Sequence, residues 1–325
     1  MIVFRDPAEV PADFAPSVTV VGKFDGVHSG HRAVIARARV DAAARGLQVV
    51  AVTFDRNPLA LLRPDVCPES LIGVHQKVQL LSETGVDAVL VLRFDEELAA
   101  IPADDFAQTV LVDALHARSV LVGADFRFGR GGEGTADSLA EYGLSHGFDV
   151  HVVDEVRAQE HGRRVSSTWI RELLAEGDVT SAAKLLGRLP SVWGEVVHGH
   201  KRGRAIGFPT ANLSPDLEGF VPADGVYAGW LVDQDSAGGL RPGVRRPAAI
   251  SIGTNPTFDD VASRQVEAYV LDETDLDLYG HFVELRFVQM LRPMTAFRGI
   301  DALIEQITDD VTRTREVLLK AESGR

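Results

Sequence analysis

Cysteine is nearly missing from this chain. Cys67 stands alone among 325 residues, which excludes an internal disulfide framework and fits a reducing cytoplasm. Long apolar runs are missing as well, and none approaches the ~20 residues that a membrane-spanning helix requires. The N-terminus, MIVFRDPAEV, carries an Asp and a Pro where a secretory signal would be apolar. Positive charge is scarce: 33 Lys and Arg face 47 Asp and Glu, for a formal net charge of −14. A chain of that sign does not bind a nucleic-acid backbone by bulk electrostatics, so phosphorylated substrates have to be met by local basic groups. Low-complexity tracts and internal repeats are absent too. What remains is 45% hydrophobic and 25% charged, enough for two domains with a core each. The expectation is a soluble, cytoplasmic, two-domain protein whose partners include neither nucleic acid nor membrane, and which is compatible with a homo-oligomer.

The first half alternates two kinds of pattern. SVTVVGK (17–23), LQVVAVTF (47–54), VDAVLVLRF (86–94), SVLVGA (119–124) and FDVHVVD (148–154) are short apolar runs and read as strands. Between them lie helical patterns. GHRAVIARARVDAAARG (30–46) puts Val34, Ile35, Ala38 and Ala42 on one face and stops at Gly46. HQKVQLLSETG ends at Gly85, and Asp105 with Gln108 reads as a capping pair opening FAQTVLVDALHA. Strands that are apolar on both faces and alternate with helices imply a doubly wound parallel sheet. Such sheets bind ligands beyond the carboxyl ends of their strands.

GKFDGVHSGH (22–31) occupies that place, between the first strand and the first helix. Gly22, Gly26 and Gly30 let backbone approach a ligand or adopt positive φ. A helix N-terminus offers free N–H groups and a positive partial charge. His28 and His31 lie about one turn apart there, placed to hold phosphate oxygens as charge builds in a transition state. The stretch is neither a P-loop nor GxGxxG. A bland reading also accounts for it, as a tight turn with two capping histidines.

After SAAKLLGRLP the pattern changes at Pro190. VWGEVVHG, GVYAGWLV, RPAAISIG, RQVEAYVL and HFVELRFVQM succeed one another as strands with turn residues between, as in an antiparallel barrel. AFRGIDALIEQITDDVTRTREVLLKA closes the chain as helix. The fold class is therefore α/β plus β, with domains at 1–186 and 187–325. In GHKRGRAIGFPTANL (199–213), Lys201, Arg202 and Arg204 form a basic glycine-spaced loop, and Phe208-Pro209 stiffens the segment after it. Thr210 and Asn212 point to one side of an extended chain and offer oxygen donors suited to Mg²⁺ with nucleotide phosphates. A strand-edge turn with solvated charges accounts for the same residues. Glu267 faces away from Val266, Ala268 and Val270, on the side of Tyr269. It is either a solvated strand residue or a base able to take a proton from a primary alcohol.

The opening stretch resembles the H-x-G-H signature of the nucleotidylyltransferase superfamily. In its extended form it is similar to the adenylyltransferase module of bacterial bifunctional riboflavin kinase/FAD synthetases. LVGADFRFGRGGEG (121–134) resembles the second nucleotide loop of that family, and VSSTWIRELL (165–174) its Ser-Ser-Thr-x-Ile-Arg motif. GRAIGFPTANL, GVYAGW, SIGTNPTF (251–258), VEAYVLD and LYGHFVELRFVQMLR resemble the riboflavin kinase module, in order. The resemblance spans nearly the whole chain. It implies a Rossmann-like nucleotidylyltransferase domain followed by a riboflavin kinase barrel with terminal helices. The implied partners are ATP, riboflavin, FMN and FAD, with Mg²⁺ accompanying ATP. Gly22, Phe24, Asp25, Gly26, Gly30, Asp125, Arg127, Ser166, Ser167, Thr168 and Arg171 would line the adenylyltransferase site around His28 and His31. Read physically, Asp125 is an acceptor for ribose or adenine, Arg171 reaches for phosphate from a first helical turn, and Ser166, Ser167 and Thr168 are also helix caps. Gly203, Gly207, Phe208, Pro209, Asn255 and Thr257 would line the kinase site, with Thr210 and Asn212 at the metal and Glu267 as base. One loop departs from the family: TFDRNP (53–58) has Asn57 where Pro-His-Pro is usual, and it is given no catalytic role.

Overall fold

The computed structural model describes residues 1–153, 157, 162–199, 206–234, 244–254, 264–273 and 276–323. The chain separates into two compact units, Met1–Ser167 and Thr168–Arg325. In the first, every side chain of Ser17–Val21 is buried, the signature of a strand covered on both faces. Six strands pair in parallel: β1 (Ile2–Phe4), β2 (Ser17–Val21), β3 (Gln48–Phe54), β4 (Ala88–Leu92), β5 (Ala117–Gly123) and, later in the chain, β8 (Asp149–Val153), in the order β1-β4-β3-β2-β5-β8. Between the last two lies a small hairpin, β6 (Arg127–Phe128) with β7 (Gly134–Thr135). The helices are α1 (Ser29–Arg45), α2 (Leu59–Leu62), α3 (Val74–Ser82), α4 (Glu96–Ala100), α5 (Ala103–Phe106) and α6 (Ala136–His146). Phe106, Leu111, Leu115, Phe128, Leu139 and Phe148 belong to one buried cluster with residues of the sheet. Each such side chain contributes about 1.5–3 kcal/mol on burial. The strand order reverses at β2: β3 lies on one side of it and β5 on the other. The carboxyl ends of β2 and β5 therefore flank the topological switch point, where doubly wound sheets bind ligands.

One short strand was not expected, and one expected helix start is corrected. β1, a three-residue edge strand paired with β4, is too short to carry a period. Asp105 does not open a helix. α5 begins at Ala103, Pro102 precedes it, and the coil continues as a π-helix over Ala107–Ala114. Gln108 instead donates to Asp113 and accepts from Tyr142.

The second unit opens with α7 (Ser167–Ala175, its first residue in the first unit) and α8 (Val179–Leu186), then β9 (Ser191–Val197), β10 (Thr210–Leu213), β11 (Gly225–Asp233), β12 (Arg245–Gly253), β13 (Gln265–Val270) and β14 (Phe282–Pro293). These six strands close an antiparallel barrel, β10-β13-β12-β11-β14-β9. One of them, β10, was not among the five expected strands. Inside, Tyr227 and Phe287 meet edge to face at 5.4 Å, both fully buried. The last helix, α9 (Ile300–Ser323), lies on the barrel. Its buried Asp310 accepts from Arg292 of β14 at 3.0 and 2.8 Å, and Leu318 packs with Val226, Ala228, Trp230 and Leu291. The helix starts four residues later than its pattern, because Gly299 holds φ 96°.

Candidate active sites

The first site is built on the loop joining β2 to α1. Val21 ends the strand and Ser29 begins the helix, so seven residues make the turn. Three of them have positive φ: Phe24 at 48°, Gly26 at 85° and Val27 at 38°. Glycine is at ease there, but Phe24 and the β-branched Val27 are not. Such angles cost about 1–3 kcal/mol each and persist only where the surroundings hold them. Both strained side chains are buried, and several hydrogen bonds fix the loop. Leu71 N–H donates to Asp25 Oδ1 at 2.8 Å, Ser167 Oγ to Asp25 O at 2.8 Å, and Thr53 Oγ1 to Lys23 O at 3.1 Å. Of the other motif glycines, Gly30 faces the His28 ring, which a Cβ would meet at 3.0 Å, whereas Gly22 has ordinary space.

The histidines come together as the spacing predicts. His28 caps α1, its Nδ1 accepting from His31 N–H at 3.4 Å. In the neutral ring that arrangement puts the proton on Nε2, a donor. The two imidazoles stack with centroids 3.7 Å apart, and His31 meets the Phe24 ring at 5.3 Å. The capping reading is thus correct for His28, and it orients the ring at the positive end of a 17-residue helix. Anion binding at that end is what such an arrangement does chemically.

Asp125 and Arg127 follow β5, across the switch point, and both are exposed. Asp125 pairs with Arg164 at 3.4 Å, and Arg127 opens the β6–β7 hairpin. Phe126 and Phe128 stack at 5.3 Å beneath it. Ser166 and Ser167 are half-buried, and Ser167 is tied to the motif loop through Asp25. Thr168 and Arg171 lie on α7, within the second unit. Asn57 Oδ1 accepts from Leu59 N–H at 3.1 Å, a local turn at the start of α2.

Lys77 escaped the sequence reading. It sits on α3, is buried, and donates from Nζ to Phe54 O, at the end of β3, at 2.8 Å. Burial pulls its pKa down from 10.5 to about 8, against the opposing pull of Asp25 and Asp55. The available signal was its position four residues before the buried Leu81, on the apolar face of α3.

The second site lies on one face of the barrel, where β10 pairs with β13. Thr210 stands opposite Tyr269 and Asn212 opposite Glu267. In β13, Val266, Ala268 and Val270 are buried, leaving Glu267 and Tyr269 on the other face, as the alternation predicts. Thr210 Oγ1 donates to Glu267 Oε2 at 3.3 Å, and Asn212 Nδ2 donates to Thr210 O at 3.1 Å and Thr210 Oγ1 at 3.2 Å. The Phe208 ring meets Tyr269 edge to face at 5.3 Å, and Gly207 before it holds φ 90°. Pro209 is half-buried. Gly203, Asn255 and Thr257 lie outside the described residues, as do Lys201, Arg202 and Arg204. The Thr210 hydroxyl and the Asn212 amide oxygen are hard donors of the kind that can hold a divalent cation, and the Glu267 carboxylate lies beside them on the neighbouring strand.

Comparison with known proteins gives two family matches, one in each half of the chain. A family model described as FAD synthetase matches residues 10–169, and one described as riboflavin kinase matches residues 186–318. Proteins named bifunctional riboflavin kinase/FMN adenylyltransferase are similar over most of their length. That of Escherichia coli (strain K12) is 38% identical over 299 residues, 92% of each chain. Those of Listeria monocytogenes and Bacillus subtilis (strain 168) are 37% and 33% identical, covering 94% and 91% of this chain and 93% and 90% of theirs. A solved structure from Streptococcus pneumoniae, described as a macrolide-efflux protein, superposes with a TM-score of 0.80 at 31% identity, covering 97% of this chain and 98% of that one. No helix among the described residues is long and apolar enough to cross a membrane.

Proposed function

The chain belongs to the family of bifunctional riboflavin kinase/FMN adenylyltransferases, and from that premise we propose how its two sites divide the chemistry. The enzyme transfers the γ-phosphoryl of ATP to riboflavin, giving FMN and ADP. It then joins FMN to the AMP part of a second ATP, giving FAD and pyrophosphate. The efflux description of the pneumococcal chain is not carried over, since neither matched family model describes transport.

In the barrel, Glu267 takes the proton of the riboflavin 5′-hydroxyl as its oxygen attacks the γ-phosphorus of ATP. The observation that carries this assignment is the Thr210–Asn212–Glu267 cluster, with Thr210 3.3 Å from the carboxylate. Thr210 and Asn212 would hold Mg²⁺ with ATP, and the ion, when bound, offsets charge on the phosphates. Phe208 and Tyr269 form an aromatic wall beside the carboxylate, suited to a flat ring.

In the parallel-sheet unit, a phosphate oxygen of FMN attacks the α-phosphorus of ATP. The bond from that phosphorus to the bridging oxygen breaks, and pyrophosphate leaves. His28 and His31, at the N-terminus of α1, stabilise the charge that moves onto the leaving group. No covalent enzyme intermediate is required. Gly22, Phe24, Asp25, Gly26 and Gly30 shape this site, and Asp125, Arg127, Ser166, Ser167, Thr168 and Arg171 bind ATP or FMN around it. The lone Cys67 supports a cytoplasmic setting. The deciding experiment is to incubate the protein with riboflavin, ATP and Mg²⁺ and to resolve the flavins by chromatography. FMN and FAD should both accumulate; absence of either product removes the corresponding site assignment.

A further inference from the structure

The proposed mechanism leaves one costly group unused. Lys77 is a buried lysine on the core face of α3. A helix that only had to pack there would be served by Leu or Met, because an ammonium loses its hydration on burial. The surroundings show what the charge does. Its Nζ bonds Phe54 O at the carboxyl end of β3, at 2.8 Å. Asp25, in the strained loop after β2, and Asp55, just past β3, are the acidic groups acting on it. Asp55 in turn receives Phe94 N–H at 2.8 Å and is reached by Arg56 at 3.4 Å. Asp25 is bonded by Leu71 N–H, three residues before α3 begins. The loop that carries the histidines is therefore held from two sides, by the Leu71 N–H just before α3 and by Thr53 of β3, whose hydroxyl donates to Lys23 O, and Lys77 joins α3 to the end of that strand.

We propose that Lys77 is a positioning residue for adenylyl transfer: its buried ammonium clamps α3 to the end of β3, the two elements from which Leu71 and Thr53 hold the 23–25 loop, and so keeps His28 and His31 where the leaving pyrophosphate develops its charge. The inference rests on the adenylyltransferase reading of this site. Charge is part of the role, so the working form is the protonated one. With its pKa near 8, that form is lost at mildly alkaline pH. A residue acting through the histidines affects the transition state more than ground-state binding, so its loss falls on kcat rather than KM.

The test uses the full chain and measures FAD formation from FMN, FMN formation from riboflavin, and thermal unfolding by circular dichroism. In Lys77→Met, kcat for FAD formation should fall at least about tenfold, while KM for ATP and for FMN moves less than about threefold. Riboflavin phosphorylation should keep its native rate, and the melting temperature should not fall, because a charge that burial disfavours has been removed. In Lys77→Arg, whose guanidinium stays charged throughout, some activity should return. The alkaline fall of kcat/KM for FAD formation, expected near pH 8 in the native protein, should move up by at least about one pH unit. A Lys77→Met kcat within twofold of native would overturn the proposal, as would a kcat loss matched by a lower melting temperature. So would an alkaline limb that stays in place in Lys77→Arg. A native protein that makes no FAD at all is a different result, since it removes the adenylyltransferase reading and this inference with it.

Discussion

Val27 keeps φ at 38° with its branched side chain fully buried, two residues before a helix begins. Strain of this kind marks a turn shaped for what it presents, here His28 and His31 at the N-terminus of α1. If they act on developing charge, a His28→Ala, His31→Ala double variant should lose FAD synthesis by at least about a hundredfold, the scale of a lost transition-state donor. The reverse reaction, from FAD and pyrophosphate, should fall in parallel because both directions share one transition state. His28 also caps α1, and losing a cap costs about 1 kcal/mol, so the assay is run on material checked by circular dichroism. In the barrel, Glu267→Gln should lower FMN formation by roughly 10²–10⁴-fold, as for a lost general base, and leave FAD formation from supplied FMN intact. A rate near native would return Glu267 to a solvated strand residue. Lys77 makes a prediction about stability. Its pKa is lowered in the folded state, from 10.5 to about 8, so between those values the unfolded chain binds more protons. Stability should therefore rise as pH climbs from 8 toward 10.5, by about 3 kcal/mol at most. Lys77→Met should abolish that rise in urea titrations taken across the window. The two histidines and Glu267 could be singled out because spacing and strand phase are properties of a string. Lys77 was missed because its value depends on burial, and the backbone strain at Phe24 and Val27 because nothing in a side chain announces a positive φ.

The long elements were visible and the short ones were not. β2, β3, β4, β5 and β8 have at least five residues, and each lies inside its expected span or within two residues of it, although β8, DVHVV at the sheet edge, is largely exposed rather than covered on both faces. β1 and β10 have three and four residues; they are held by pairing with strands distant in sequence, β1 with β4 and β10 with β13 and β9, which is tertiary information. The π-helix after α5 is equally silent, since its apolar residues fit an ordinary helical period. The β6–β7 hairpin carries Arg127, which we propose binds nucleotide. Gly129 holds φ 72°, and a Cβ there would lie 2.5 Å from Ala103 Cα and 2.6 Å from its nitrogen. Backbone cannot yield as a flexible side chain would. Gly129→Ala should therefore displace the hairpin bearing Arg127, cost about 1–3 kcal/mol, and raise KM for ATP in FAD formation with little change in riboflavin phosphorylation. Steady-state kinetics of both reactions on one preparation would check it; an unchanged KM would detach the hairpin from nucleotide binding.

At the scale of the molecule, the segment between the two sites answers to two claims. By packing, α7 and α8 go with the barrel. Thr180 Oγ1 donates to Val288 O of β14 at 3.2 Å, and Ala223 N–H donates to Leu174 O at 2.9 Å. The compact units accordingly divide after Ser167, while the riboflavin kinase match begins only at residue 186. By motif, Thr168 and Arg171 go with adenylyl transfer, which places the functional boundary we propose after residue 186. The two claims predict that no single cut leaves both halves whole. Divided at 186/187, the N-terminal piece keeps Thr168 and Arg171 and should make FAD from supplied FMN. The C-terminal piece should phosphorylate riboflavin, but, having lost the helix along β14, it should melt at least about 5 °C below a piece that starts at residue 168. Divided at 167/168, the barrel piece should be the more stable of the two and fully active as a kinase. Its N-terminal counterpart, without Arg171, should bind FMN and ATP poorly and make little FAD. Neither C-terminal piece should form FAD at all. The four fragments are compared by flavin chromatography and thermal melts. FAD from a C-terminal piece would overturn the assignment of His28 and His31, and full FAD synthesis by residues 1–167 would remove Thr168 and Arg171 from the site.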